Sequence, residues 1–169
     1  MKNPDIIWLA SYPKSGNTWM RSFLHNLLRN PARPVPLDEL DHFCLGESTA
    51  NWYAHRSPKP LEDLSPEELA RLRPIVHRDF TQAFPDSVFV KTHNFLGEWL
   101  GVPLHNMDVT AGAIYIVRNP LDVVLSKMHH FGQTLDEAID RLADPDTMTA
   151  LTASHVPEIH SSWSVHVKS

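Results

Sequence analysis

Lys14, Lys91 and Arg118 each stand at or just past the end of a short apolar run, and each has polar company: Ser15, Gly16, Asn17 and Thr18 after the first, His93 two residues beyond the second, Asn119 beside the third. Such residues suit the capture of an anion. In Tyr12-Pro13-Lys14-Ser15-Gly16-Asn17-Thr18-Trp19 the small and hydroxyl-bearing residues let backbone approach a ligand closely. A helix starting there would aim unpaired N–H groups and the positive end of its dipole at the ligand, and Lys14 would add a point charge. Lys91 and His93 lie on one side of an extended segment, so a cation and a base with an ordinary pKa of about 6.5 can address one reacting centre. Arg118 offers a planar fork for bidentate contact with a phosphate.

The loop is not the nucleoside-triphosphatase pattern G-x-x-x-x-G-K-[ST]: Lys14-Ser15 is present, but Trp8 and Pro13 occupy the glycine positions. On chemistry alone, an ordinary strand-to-helix turn with a solvent-facing lysine accounts for the same residues.

These groups need elements to position them. The apolar runs 6–10, 88–90 and 113–117 are continuous rather than alternating, the pattern of strands covered on both faces. Met20, Phe23, Leu24, Leu27 and Leu28 follow the spacing of one helix face, with Asn30-Pro31 as its end. Ser65-Pro66-Glu67-Glu68 reads as an N-cap, first-turn proline and capping box. A helix is predicted over 120–131, stopped by Gly132, and another from Thr134 with Leu135, Ala138, Ile139 and Leu142 inward. Alternating strands and helices predict one α/β domain over 1–169, three-layer with a central mainly parallel sheet. Ligands on such sheets bind at the strands' carboxyl ends, where all three polar clusters fall. The stretch 31–60 reads as irregular, with Phe43, Trp52 and Tyr53 as candidates for a lid over an acceptor site.

A formal net charge of -5 argues against a nucleic-acid or anionic-membrane partner, whose footprint would be basic. The single cysteine, Cys44, cannot form an internal disulfide and reads as a buried thiol in a reducing compartment. The first apolar run is too short for a signal-peptide core or a membrane span, so a cytoplasmic location is expected. The histidines at 129–130, 155, 160 and 166 lack the partners of a recognisable metal site. His77-Arg78-Asp79 is similar to a kinase catalytic loop, but Phe84 stands where its asparagine belongs.

The loop 12–19 resembles the 5′-phosphosulfate-binding loop of sulfotransferases that use 3′-phosphoadenosine 5′-phosphosulfate (PAPS), particularly the cytosolic type. Val90-Lys91-Thr92-His93 is similar to that family's K-T-H segment, and residues 116–126 to its 3′-phosphate motif, with His129-His130-Phe131 continuing the likeness and residues 163–169 resembling its next helix. The resemblance implies a P-loop-nucleotidase-like fold and sulfuryl transfer from PAPS to a small alcohol or phenol, without a metal. It implies Lys14, Lys91 and His93 as catalytic residues, with His93 the general base. Lys14, Ser15, Gly16, Asn17, Thr18 and Trp19 would bind the donor, and Arg118 with Ser126 its 3′-phosphate.

The family's chains run further and carry a later R-K-G-x-x-G-x-W segment over the 3′-phosphate and adenine. Neither that segment nor the C-terminal dimerisation segment of the cytosolic members occurs here. The short chain therefore admits three readings: a fragment of a longer enzyme, a shortened member, or a relative without turnover that binds PAPS or its desulfated product. Oligomeric state is left open.

Overall fold

In the computed structural model, which describes residues 5–84 and 88–169, β1 (Ile6–Ser11) forms the middle of the site-bearing sheet. Its side chains divide between two faces, as strand geometry requires: Ile6 and Trp8 join one buried cluster, Leu9 and Ile7 another. α1 (Asn17–Arg29) follows a turn closed by Gly16 at φ 106° and ends at Asn30, also left-handed, whose N–H returns to the Asn26 carbonyl. Next come β2 (Cys44–Gly46), α2 (Ala50–Ala54) and α3 (Pro66–Phe80), the last opened by the full Ser65/Glu68 capping box. β3 (Val88–Thr92) precedes a small antiparallel pair, β4 (Glu98–Trp99) and β5 (Val102–Pro103). β6 (Thr110–Ile116) leads into α4 (Pro120–Phe131), stopped by Gly132 at φ 65°, then α5 (Leu135–Ala143) behind a Thr134/Glu137 capping box, and α6 (Trp163–Lys168).

The four-stranded sheet runs β2-β3-β1-β6, every pair parallel. One face packs Ile6, Trp8, Val88 and Val90 against α2 and α3, with Tyr53, Val76 and Phe80 fully buried between them. The other packs Leu9 and Phe89 under Phe43 and Leu24 of α1. Apolar burial worth about 1.5–3 kcal/mol for each such large side chain holds the layers together. The architecture is the three-layer α/β fold with a central parallel sheet that the sequence predicts.

Four expectations need correction. β6 is an edge strand, unpaired on its outer side among the described residues, and its residues alternate between half-buried and exposed because successive side chains point to opposite faces and one face is less covered than the other. Phe23, Leu27 and Leu28 of α1 face outward at about half exposure, and only Leu24 of the predicted stripe reaches the core named above. In α5, Ala138 and Leu142 are buried while Leu135 and Ile139 are exposed. The 31–60 stretch is not irregular throughout: it holds a 3-10 turn at Leu37–His42, β2 and α2. Its aromatics pack inward, Phe43 against Phe89, Trp52 against Phe80, and Tyr53 onto Glu47.

Candidate active site

The carboxyl ends of β1, β3 and β6 open into one cleft of about 950 Å³, room for a nucleotide-sized ligand and a second small molecule. Lys14, Gly16, Asn17, Thr18, Trp19, Lys91, His93, Arg118 and Ser126 all line it. The sequence-predicted residues are therefore brought together, with one exception: Ser15 lies beneath the surface, buried, and its Oγ has no hydrogen-bond partner.

The loop owes its shape to two left-handed residues, Lys14 at φ 70° and Gly16 at φ 106°. Glycine adopts that conformation freely; lysine pays about 1–2 kcal/mol for it. Asn17, at the first position of α1, donates from Nδ2 to the Leu9 carbonyl (2.8 Å) and to Ser11 Oγ (3.2 Å), pinning the helix start to the strand end. Arg118 Nη1 donates to the Lys14 carbonyl at 3.1 Å, so the end of β6 braces the same loop. Trp19 is 71% exposed and stacks on Phe23 at 5.9 Å instead of entering the core. Its face at the cleft rim can receive a flat ring.

His93 Nδ1 stands 2.7 Å from the Ser11 carbonyl and 3.2 Å from Ser11 Oγ. A carbonyl only accepts, so Nδ1 carries the proton and donates it, leaving the Nε2 lone pair available. Burial, reinforced by the charge of Lys91, pushes the imidazole down to about 3. It is neutral near pH 7. Lys91 Nζ is held 2.9 Å from Glu158 Oε1, and the same oxygen accepts from Ser48 Oγ at 3.0 Å. Burial of Glu158 opposes its ionisation, but His160 and Lys91 overcome this and hold the carboxyl well below its usual range.

Glu158 and His160 line the cleft beside Lys91 and His93, and sequence reasoning missed the carboxylate entirely. Nothing in its surroundings, Val156-Pro157-Glu158-Ile159-His160, has a period or motif to mark it. Among the described residues, no group of three or more His, Cys, Asp or Glu could hold a metal ion. No helix there is long and apolar enough to cross a membrane.

Fold and site together define a parallel α/β protein whose strand ends gather two lysines, an arginine, a histidine and a left-handed glycine turn around one cleft. The chain matches the sulfotransferase domain family over residues 4–169, and belongs to it. A comparison with curated proteins gives no match.

Proposed function

We propose that the protein transfers a sulfuryl group from PAPS to a hydroxyl of a small acceptor, with His93 as general base. The observation that carries this reading is the convergence of Lys14, Lys91, His93, Arg118 and Ser126 on one cleft at the strand ends. The left-handed Gly16 turn fits an anion at the head of α1, where a helix presents its first N–H groups. PAPS supplies an activated sulfuryl group on a phosphate leaving group.

As the acceptor oxygen bonds to sulfur, the bond from sulfur to the bridging oxygen breaks and its electron pair stays with the departing phosphate. The acceptor proton passes to His93 Nε2. Lys14 and Lys91 supply positive charge where negative charge grows, stabilising the transition state above the ground state. Arg118 and Ser126 take the 3′-phosphate, and Trp19 stacks on adenine. We also place the protein in the cytoplasm, on its single buried cysteine.

Calorimetry with 3′-phosphoadenosine 5′-phosphate against ATP tests the nucleotide, and sulfate transfer from PAPS tests the reaction. Preference for ATP would overturn the reading. Tight binding of the 3′-phosphorylated nucleotide without turnover would make the protein a binding module.

A further inference from the structure

The wall facing His93 is made by residues 149–160, and it is polar. Thr149, Thr152, His155, Glu158 and His160 line the cleft from this segment, and Ala150 is its one apolar contribution. The larger apolar groups of the cleft stand elsewhere: Trp19 on α1, Phe131 on α4, Leu37 in the 3-10 turn.

The wall is fixed by its own backbone. Thr149 N donates to the Glu158 carbonyl at 3.0 Å, Glu158 N to Thr149 Oγ1 at 2.8 Å, and His160 N to the Thr147 carbonyl at 3.0 Å. Two of its side chains are left with hydrogen-bonding capacity to spare. Glu158 uses Oε1 for Lys91 and Ser48, while Oε2 makes a long ion-pair contact with His160 Nε2, at 3.5 Å. His160 is 6% exposed, and its Nε2 is buried without a hydrogen bond. Its ring lies 6.3 Å from that of His93. A buried polar atom held only by so long a contact is under-satisfied, and a ligand hydroxyl at hydrogen-bond distance improves on it.

We infer that the acceptor is hydroxyl-rich, of the polyol or sugar class, and that Glu158 and His160 bind hydroxyls neighbouring the one delivered to His93. This rests on the sulfuryl-transfer reading and narrows its acceptor. A carboxylate oxygen accepts and an imidazole nitrogen donates or accepts, so the pair can hold two adjacent hydroxyls. A flat phenol has one hydroxyl and would leave both groups dry. Sites built around such hydrogen bonds reject analogues lacking them far more strongly than apolar pockets reject a misfit.

The test is calorimetric, on the full chain saturated with 3′-phosphoadenosine 5′-phosphate, using methyl β-glucoside, myo-inositol and 2-naphthol as probes. At least one of the two polyols should bind tenfold or more tightly than 2-naphthol. Glu158→Gln, which keeps the side chain's shape, and His160→Ala should each weaken that polyol about tenfold or more. Both should leave 2-naphthol within about twofold, and His160→Ala should do the same for the nucleotide. Tighter binding of 2-naphthol, no binding of either polyol, or equal losses for all probes in the isosteric Glu158→Gln overturns the inference while the donor reading stands. If the nucleotide itself fails to bind wild-type protein, the donor reading fails and the inference falls with it.

Discussion

Asn94 Nδ2 donates to Glu47 Oε2 at 2.8 Å, and Asn94 Oδ1 accepts from Ile159 N at 2.7 Å. The residue after His93 thus ties two distant parts of the chain to the carboxyl end of β3. One is the wall that carries Glu158 and His160. The other is a fully buried network in which Glu47 Oε1 also takes Tyr53 Oη, Arg73 Nη1 and His77 Nε2. Arg73 Nη2 reaches on to the Pro157 carbonyl, so the network holds the wall at two points.

Glu47→Gln should be among the most destabilising single changes available. Burial alone would push the Glu47 carboxyl up, yet Arg73, followed by His77 and Tyr53, holds it down to about 2. Removing the charge leaves the Arg73 guanidinium uncompensated in the core, a loss of about 3–5 kcal/mol. Urea unfolding of the two proteins at pH 7 measures it. A loss below about 1 kcal/mol would show the pair to be replaceable.

His93 should remain an effective base in mildly acidic solution. Its depressed pKa of about 3 belongs to the free protein, and the acid limb of kcat/KM reports the free enzyme's base. That limb should lie below pH 5, whereas an unperturbed histidine would place it near 6.5. His93→Ala should lower turnover about 10²–10⁴-fold and abolish the limb. A variant with near wild-type rates across pH 5–8 would remove His93 from the mechanism.

The same burial makes the fold sensitive to acid. His93 is held at about 3 and His105 at about 4, burial being the leading cause in both. Unfolded, each titrates near 6.5, so below that pH the unfolded chain binds more protons than the native one. Stability is then complete above pH 6.5 and lost as the pH falls toward the folded values. Each group contributes a slope of up to about 1.4 kcal/mol per pH unit, so urea unfolding at pH 5.5 should show about 2 kcal/mol less than at pH 7. His105→Gln should flatten the profile; an unchanged slope would exclude His105 as a source.

What the sequence revealed follows from how local each cause is. The loop 12–19, the 91–93 strand end and the caps at Ser65, Thr134 and Gly132 are short contiguous patterns, readable because the physics that makes them acts within one turn of chain. β2 was invisible: three residues carry no period, and Cys44–Gly46 becomes a strand only by pairing with β3. Glu158 meets Lys91 across 67 residues and Glu47 meets Arg73 across 26, and no residue type at either end announces such a pairing. Phe43 and Tyr53 read as lid aromatics because composition cannot tell an inward ring from an outward one. Their burial, at 5% and 0% exposure, is decided by the sheet beneath one and the Glu47 carboxylate beside the other.

Lys14 separates stability from function most cleanly. Its backbone sits at φ 70°, a left-handed conformation that costs a residue with a Cβ about 1–2 kcal/mol. Strain of this kind persists where the site needs the residue's side chain. Lys14→Gly relieves the strain and removes the cation; Lys14→Ala removes the cation and keeps the strain. Both should lose about 10²–10³ in turnover, as a preorganised charge is lost at the developing phosphate. Only the glycine variant should gain stability, by about 1 kcal/mol or somewhat less once its greater unfolded-chain entropy is counted. Urea unfolding and initial rates on the three proteins check both halves. If Lys14→Gly proved no more stable than Lys14→Ala, the left-handed backbone would not be a source of strain, and if both kept their rates, the charge would not face the bond that breaks.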